Sequence, residues 1–245
     1  SDRTFSRLIT LAEELDLPVH MHVHETEDEI ARSMVQHGVR PLERLRRLGL
    51  VGPNLIAVHA IHLTQEEIAL LVQNGSSVAH CPSSNLKFAN GFAPVARMLD
   101  DGVNIGLGTD GSASNNRLDL FQEMRLAALL AKAVSGDARA LPAHRALAMA
   151  TLDGARALRL DHAIGSIEPG KFADLTAVEF TAPDLLPCYD PIAQIVYAAG
   201  RENVSHVWVA GRLLLENRTL TTPLKNDLEK LAVLWQNRLS METKA

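Results

Sequence analysis

The sequence predicts an α/β protein, built from half of an eight-stranded (β/α) barrel and part of a small β domain. Three observations predict it. Short apolar runs alternate with helix-spaced segments over the first 160 residues, which is the pattern of repeated βα units and a parallel sheet. Four such runs pass directly into His or Asp: Val19 into His20, His22, His24 and Glu25; Ala57-Val58 into His59-Ala60-Ile61-His62; Ala79 into His80-Cys81-Pro82; and Leu107 into Gly108-Thr109-Asp110-Gly111. After Ala157 the pattern changes to turn-rich apolar strands.

The elements follow in order. Phe5, Leu8, Ile9, Leu11, Ala12 and Leu15 keep helical spacing, and Leu17-Pro18-Val19 opens a strand that runs into the histidines. Thr26-Glu27-Asp28-Glu29 reads as a capping box for a helix to His37-Gly38, and a short helix covers 42–48. The next strand is 55–58, and Thr64-Gln65-Glu66-Glu67 caps a helix that ends near Asn74-Gly75. Strand 77–79, helix 95–101, strand 103–107 and a long helix over 118–133 follow. The turn-rich stretch 165–174 enters a strand ending near Phe180; 204–209, Ala210-Gly211-Arg212 and 213–215 form a hairpin, and a helix over 224–239 closes the chain.

An open doubly wound sheet and a closed barrel both gather polar groups at the carboxyl edge of the strands. No Gly-rich phosphate fingerprint follows any strand, and His or Asp after four successive strands converges best in a barrel. Eight units need about 250 residues, yet only four strands precede residue 110. A half barrel exposes two unpaired edges, so the other half is expected upstream; Ser1-Asp2-Arg3-Thr4 reads as a helix beginning in mid-protein.

Composition excludes several classes. With 47% hydrophobic and 22% charged residues, the 245-residue chain reads as globular, and 24 Lys+Arg against 29 Asp+Glu leave no basic run for nucleic acid. No apolar run approaches the roughly 20 residues of a membrane span. Two cysteines, Cys81 and Cys188, are too few for a disulfide framework and favour the cytoplasm. Neither has the partner that a Pro-Cys-x-x-Cys zinc deaminase needs, which argues against nucleic-acid editing.

Taken jointly, His22-Val23-His24-Glu25-Thr26, Ala57-Val58-His59-Ala60-Ile61-His62-Leu63, the 83–91 segment Ser-Ser-Asn-Leu-Lys-Phe-Ala-Asn-Gly and Leu107-Gly108-Thr109-Asp110-Gly111-Ser112 resemble the carboxyl-terminal half of a metal-dependent amidohydrolase. Within that superfamily the chain is similar to the 5-methylthioadenosine/S-adenosylhomocysteine deaminase branch, which also holds s-triazine hydrolases. The resemblance runs over nearly the whole chain. It implies a TIM-like metallo-dependent hydrolase barrel over 1–160, part of a small β-sandwich domain over 161–221 and a C-terminal helix over 222–245. It also implies one zinc ion per subunit, with Fe2+ or Mn2+ as alternatives.

On a strand, His20, His22 and His24 share a face, so alternation alone does not select a ligand. The resemblance selects His22 and, after the last strand, Asp110; the family's other ligands are a His-x-His pair on the first strand, which this chain lacks. It makes Glu25 the proton donor to a purine ring nitrogen, Asp110 the general base, and His59 the group that hydrogen-bonds the attacking oxygen. Glu25 and Asp110 thereby also contact substrate. The implied reaction replaces an exocyclic amine of an adenine nucleoside with a carbonyl oxygen and releases ammonia. Alternatives are a guanine, pterin or s-triazine substrate, or a non-catalytic homologue, whose signature of lost ligands is opposed by His22 and Asp110. The expected partners are a small-molecule substrate, the missing N-terminal half and a second copy in a homo-oligomer, with no nucleic acid or membrane.

Other residues keep plainer readings beside the functional ones. His20 reads as structural and His62 as fixing its loop. His24 either contacts substrate or packs at the strand end, and His80 is either a core or a pocket residue. Asn85 and Lys87 shape the pocket or form a turn. Ser114, Asn115 and Asn116 cap a helix before Leu118 or touch substrate.

Overall fold

Apolar runs of four or five residues become parallel strands because the connecting helices pack on them and bury their apolar side chains. A computed structural model describes residues 2–222 and 225–242. Helix α1 (Asp2–Leu15) leads to β1 (Val19–Val23), α2 (Glu27–His37), α3 (Pro41–Arg47), β2 (Leu55–His59) and α4 (Gln65–Gln73). There follow β3 (Ser77–His80), α5 (Pro82–Lys87), α6 (Val95–Asp100), β4 (Asn104–Leu107), α7 (Leu120–Ser135), α8 (Ala143–Ala150) and α9 (Leu152–Ala157).

The four strands pair in the order β1-β2-β3-β4, all parallel, with Val23 opposite His59 and Ala79 opposite Gly106. All five residues of β2 are buried, the mark of an inner strand. Leu55, Ile68, Leu71, Val78, Met98, Ile105 and Met149 form the core between sheet and helices. Helix α9 lies against β4 through two glycines: a Cβ on Gly106 would stand 2.9 Å from Gly154 Cα, so only glycine permits that approach.

The capping box at Thr64 forms with Glu67 as expected. That at Thr26 forms only in part. Thr26 accepts from Glu29 N–H, but the Glu29 carboxylate reaches further back, to the N–H groups of His24 and Glu25. Three helices go beyond the sequence reading. Segment 82–87, readable as a turn, is α5, while α8 and α9 are short and lack side-chain caps. Helix α7 is capped by Asp119, whose carboxylate accepts from Phe121 and Gln122 N–H, and Asn115 instead closes a turn onto Arg117 and Leu118 N–H.

The chain then builds a second sheet, with antiparallel order β5-β6-β7-β8. Its strands are β5 (Leu175–Val178), β6 (Val204–Val209), β7 (Arg212–Glu216) and β8 (Thr219–Leu220), with α10 (Pro191–Tyr197) before β6 and α11 (Lys225–Glu242) last. Strand β5 stops at Val178 rather than Phe180, where its register against β6 shifts. The β6–β7 hairpin turns on Ala210 and Gly211, both with positive φ, as a two-residue turn matching strand twist demands. The expected start of the last helix at Leu224, the end of the 222–245 segment and Ser1 lie outside the described residues. No described helix is long and apolar enough to cross a membrane.

Candidate active site

The carboxyl edge of the parallel sheet carries the polar residues. His22 is the penultimate residue of β1 and half-exposed. Two residues beyond the strand, Glu25 is oriented from both sides: its N–H donates to Glu29 Oε2 at 2.8 Å, and its Oε1 accepts from Asn90 Nδ2 at 3.0 Å. His59 ends β2 with φ +71, and Ala60 follows with φ +48, an uncommon pair for residues with a Cβ. The His59 ring is fully buried, with Nδ1 2.8 Å from Asn85 Oδ1 and Nε2 without a hydrogen-bond partner. That bare Nε2 stands 3.8 Å from Glu25 Oε1 and 4.0 Å from Asp110 Oδ2.

Asp110, also left-handed at φ +60, accepts from Ser84 Oγ and Gly111 N–H, both at 2.7 Å. Burial works to raise its pKa, but the Ser84 and Gly111 hydrogen bonds prevail and hold the carboxyl below its usual range. The His22 and His59 rings meet edge-on at 4.9 Å, and ligand atoms of His22, Glu25 and His59 lie within 4.8 Å of one another. An imidazole nitrogen and a carboxylate oxygen are donor types that zinc takes, and His22 and Asp110 would supply one of each. The unpartnered, buried Nε2 of His59 shows that the site has polar capacity to spare.

The structure thus brings together His22, Glu25, His59 and Asp110 and separates His24 from them. Strand β1 ends at Val23 and His24 has φ +57, so its side chain leaves the face that alternation assigned to it. It is fully buried instead, its Nε2 against Leu42 N–H at 3.1 Å and Glu67 Oε1 at 3.2 Å, with Arg40 bridging Glu67 and the His62 carbonyl. Burial works to raise the Glu67 pKa, but its contacts with His24 and Arg40 prevail and bring it down to about 2. His20 keeps the face of His22 on β1. The His62 ring holds the Asn90 carbonyl at 2.8 Å, and Lys87 ties to Ala113 and Asn116. Cys81 is no nucleophile, since burial, with Asp110 and Glu123 nearby, pushes its thiol up to about 12.

Spacing rules did not single out Ser84, Asn90 or Glu123, and named Glu29 only as part of a helix cap. Glu123 is fully buried and accepts from Ser83 N–H, Ser83 Oγ and Asn115 Nδ2, joining the start of α5 to the loop after Asp110. Burial, the largest influence, lifts its pKa despite those hydrogen bonds. In sequence, only a Glu on an apolar helix face hinted at it.

Known proteins resemble this chain in sequence and fold. The chain is 46% identical over 241 residues to the 5-methylthioadenosine/S-adenosylhomocysteine deaminase of Teredinibacter turnerae, matching 97% of this chain and 54% of that one. It superposes with a TM-score of 0.97, at 50% identity, on the crystal structure of an adenosine deaminase from Xanthomonas campestris with bound zinc, covering 98% of this chain and 55% of that one. An atrazine chlorohydrolase from Arthrobacter aurescens complexed with zinc superposes with a TM-score of 0.90 at 27% identity, over 96% of this chain and 52% of that one. The chain spans about half the length of the relatives it matches. Residues 1–214 match the model of the amidohydrolase family, and the chain belongs to that family.

Proposed function

We propose that the intact protein is a metal-dependent hydrolytic deaminase of adenine nucleosides, with 5-methylthioadenosine and S-adenosylhomocysteine as its substrates. The observation that carries this reading is the meeting of Glu25, His59 and Asp110 around the unpartnered His59 Nε2, with His22 alongside. His22 and Asp110 would hold the metal, zinc by preference, together with ligands from outside these residues. When bound, the metal supplies the Lewis acidity that lets a water act as nucleophile at neutral pH.

The residues of the chain do the rest. The carboxylate of Asp110, kept ionised by Ser84 and Gly111, accepts the proton of the attacking water. Glu25, steered by Asn90 and Glu29, delivers a proton to the ring nitrogen beside the amine-bearing carbon, which makes that carbon electrophilic. His59 hydrogen-bonds the attacking oxygen and the tetrahedral centre that follows. Collapse of that centre expels ammonia and leaves a carbonyl oxygen. The likeness to an atrazine chlorohydrolase supports a second reading, hydrolysis of an amino-substituted s-triazine. Amine release by the intact protein, read as ammonia from methylthioadenosine, adenosylhomocysteine, adenosine and guanine and as alkylamine from hydroxyatrazine, separates the two. The first two should turn over fastest; a preference for hydroxyatrazine establishes the second reading, and no turnover of any overturns both.

A further inference from the structure

We propose that Glu123 is a positioning residue for Asp110: through Ser83 and Asn115, its buried carboxylate fixes the two donors that aim the Asp110 carboxylate. The inference deepens the deaminase reading and rests on it for its effect on turnover. Asp110 is held at both oxygens, Oδ2 by Ser84 Oγ and Oδ1 by Gly111 N–H, each at 2.7 Å. Those donors come from separate segments, the first turn of α5 and the loop after β4. Glu123, fully buried on α7, touches both segments. Its Oε2 accepts from Ser83 N–H at 2.9 Å, and its Oε1 accepts from Ser83 Oγ and, at 2.8 Å, from Asn115 Nδ2.

Each arm ends one step from Asp110. Ser83 is gripped by both its N–H and its hydroxyl, which fixes the turn of α5 that carries Ser84. Cys81, the residue before α5, offers no side-chain cap, and Glu123 takes that place from another helix. On the other arm, Asn115 Oδ1 accepts from Arg117 and Leu118 N–H, which leaves Nδ2 turned to Glu123. The Asn115 N–H in turn donates to the Gly111 carbonyl at 2.8 Å, and Gly111 is the residue whose N–H holds Asp110. These partners of Glu123 are all neutral, and burial opposes its charge. Leu or Met would fill the same place beside Met124, Ala127 and Ala128 without that cost. What a carboxylate adds there is a fixed spacing between α5 and the loop. Asp110, left-handed at φ +60, depends on such neighbours to keep its orientation.

The test uses the intact protein and three readouts: kcat with KM, zinc affinity by chelator competition, and hydrogen exchange across 108–116. Glu123→Leu should lower kcat and zinc affinity by about 10–100-fold each, with KM changed far less. Exchange across 108–116 should quicken while β2 and β3 keep their protection. Glu123→Gln keeps an oxygen for Ser83 Oγ and Asn115 but sets its amide against Ser83 N–H, so its losses should be smaller. Ser84→Ala removes the donor of one arm, so joining it to Glu123→Leu should cost clearly less than the product of the two single losses. Unchanged kcat or unchanged zinc affinity in Glu123→Leu overturns the proposal. So does a full product in the double variant, or a loosening spread evenly over the whole sheet. If Glu123→Leu does not fold, Ser83→Ala and Asn115→Ala each break one arm, and the proposal fails if neither lowers zinc affinity. If no substrate is turned over, the deaminase reading fails, while zinc affinity and exchange still decide the role of Glu123.

Discussion

The two four-stranded sheets use the same uncommon backbone conformation for opposite ends. In the antiparallel sheet, left-handed residues occur in pairs at the hairpin tips, Ala210 with Gly211 and Asn217 with Arg218, where they only reverse the chain. In the parallel sheet they stand at strand ends, at His24, His59 and Asp110, and each redirects a side chain. His24 is turned into the core, whereas His59 and Asp110 are turned toward each other. Burial differs in step. Inner strand β2 is buried throughout, but β7 has no buried residue. The candidate site thus sits on the more deeply buried of the two sheets.

Four substitutions probe this contrast in the intact protein. Asp110→Ala removes the carboxylate proposed as both base and ligand, so turnover should fall by about 10³–10⁴-fold. Metal content, measured by elemental analysis, should fall with it; full occupancy would remove Asp110 from the ligand set. Glu25→Gln keeps the shape and loses the proton, and should cost about 10²-fold or more in kcat with metal content intact. Unchanged turnover would take Glu25 out of the chemistry.

The third substitution concerns stability behind the edge. Glu67→Gln strips His24 and Arg40 of their buried carboxylate and should cost about 2–3 kcal/mol in urea unfolding at pH 7. Because the folded pKa of Glu67 is depressed, its contribution is fully present above its ordinary value of 4.5 and lost as pH falls toward about 2. The variant should therefore lose stability less steeply over that acid range; parallel profiles would contradict the role given to Glu67. The smallest effect belongs to the antiparallel sheet. Arg218→Ala breaks only an exposed pair with Glu179 and should cost under about 1 kcal/mol, with no change in kcat. A larger loss would mean the second sheet is as tightly held as the first.

The parallel strands were legible because each apolar run stops at a polar residue, and the order His22, Glu25, His59, Asp110 along the chain is their order along one sheet edge. The fate of His24 was not legible. Alternation carries no information on the sign of φ, and one left-handed residue sends that ring to the other side. Helix α5 was hidden for a different reason: Pro82, Ser83, Ser84 and Asn85 are weak helix formers, and Glu123, far along the chain, holds the first turn. Asn90 lies 65 residues from Glu25, and nothing local to either residue announces their hydrogen bond.

The left-handed pair that closes β2 also limits how this site can change. Position 59 accepts His, Asn, Asp or Gly at modest conformational expense, while Val, Ile or Thr there would strain the main chain before any chemistry was tested. Drift at the site is thus channelled toward a few polar replacements. At its neighbour Ala60, fully buried at φ +48, a smaller residue, Gly, would relax the turn without touching a functional group.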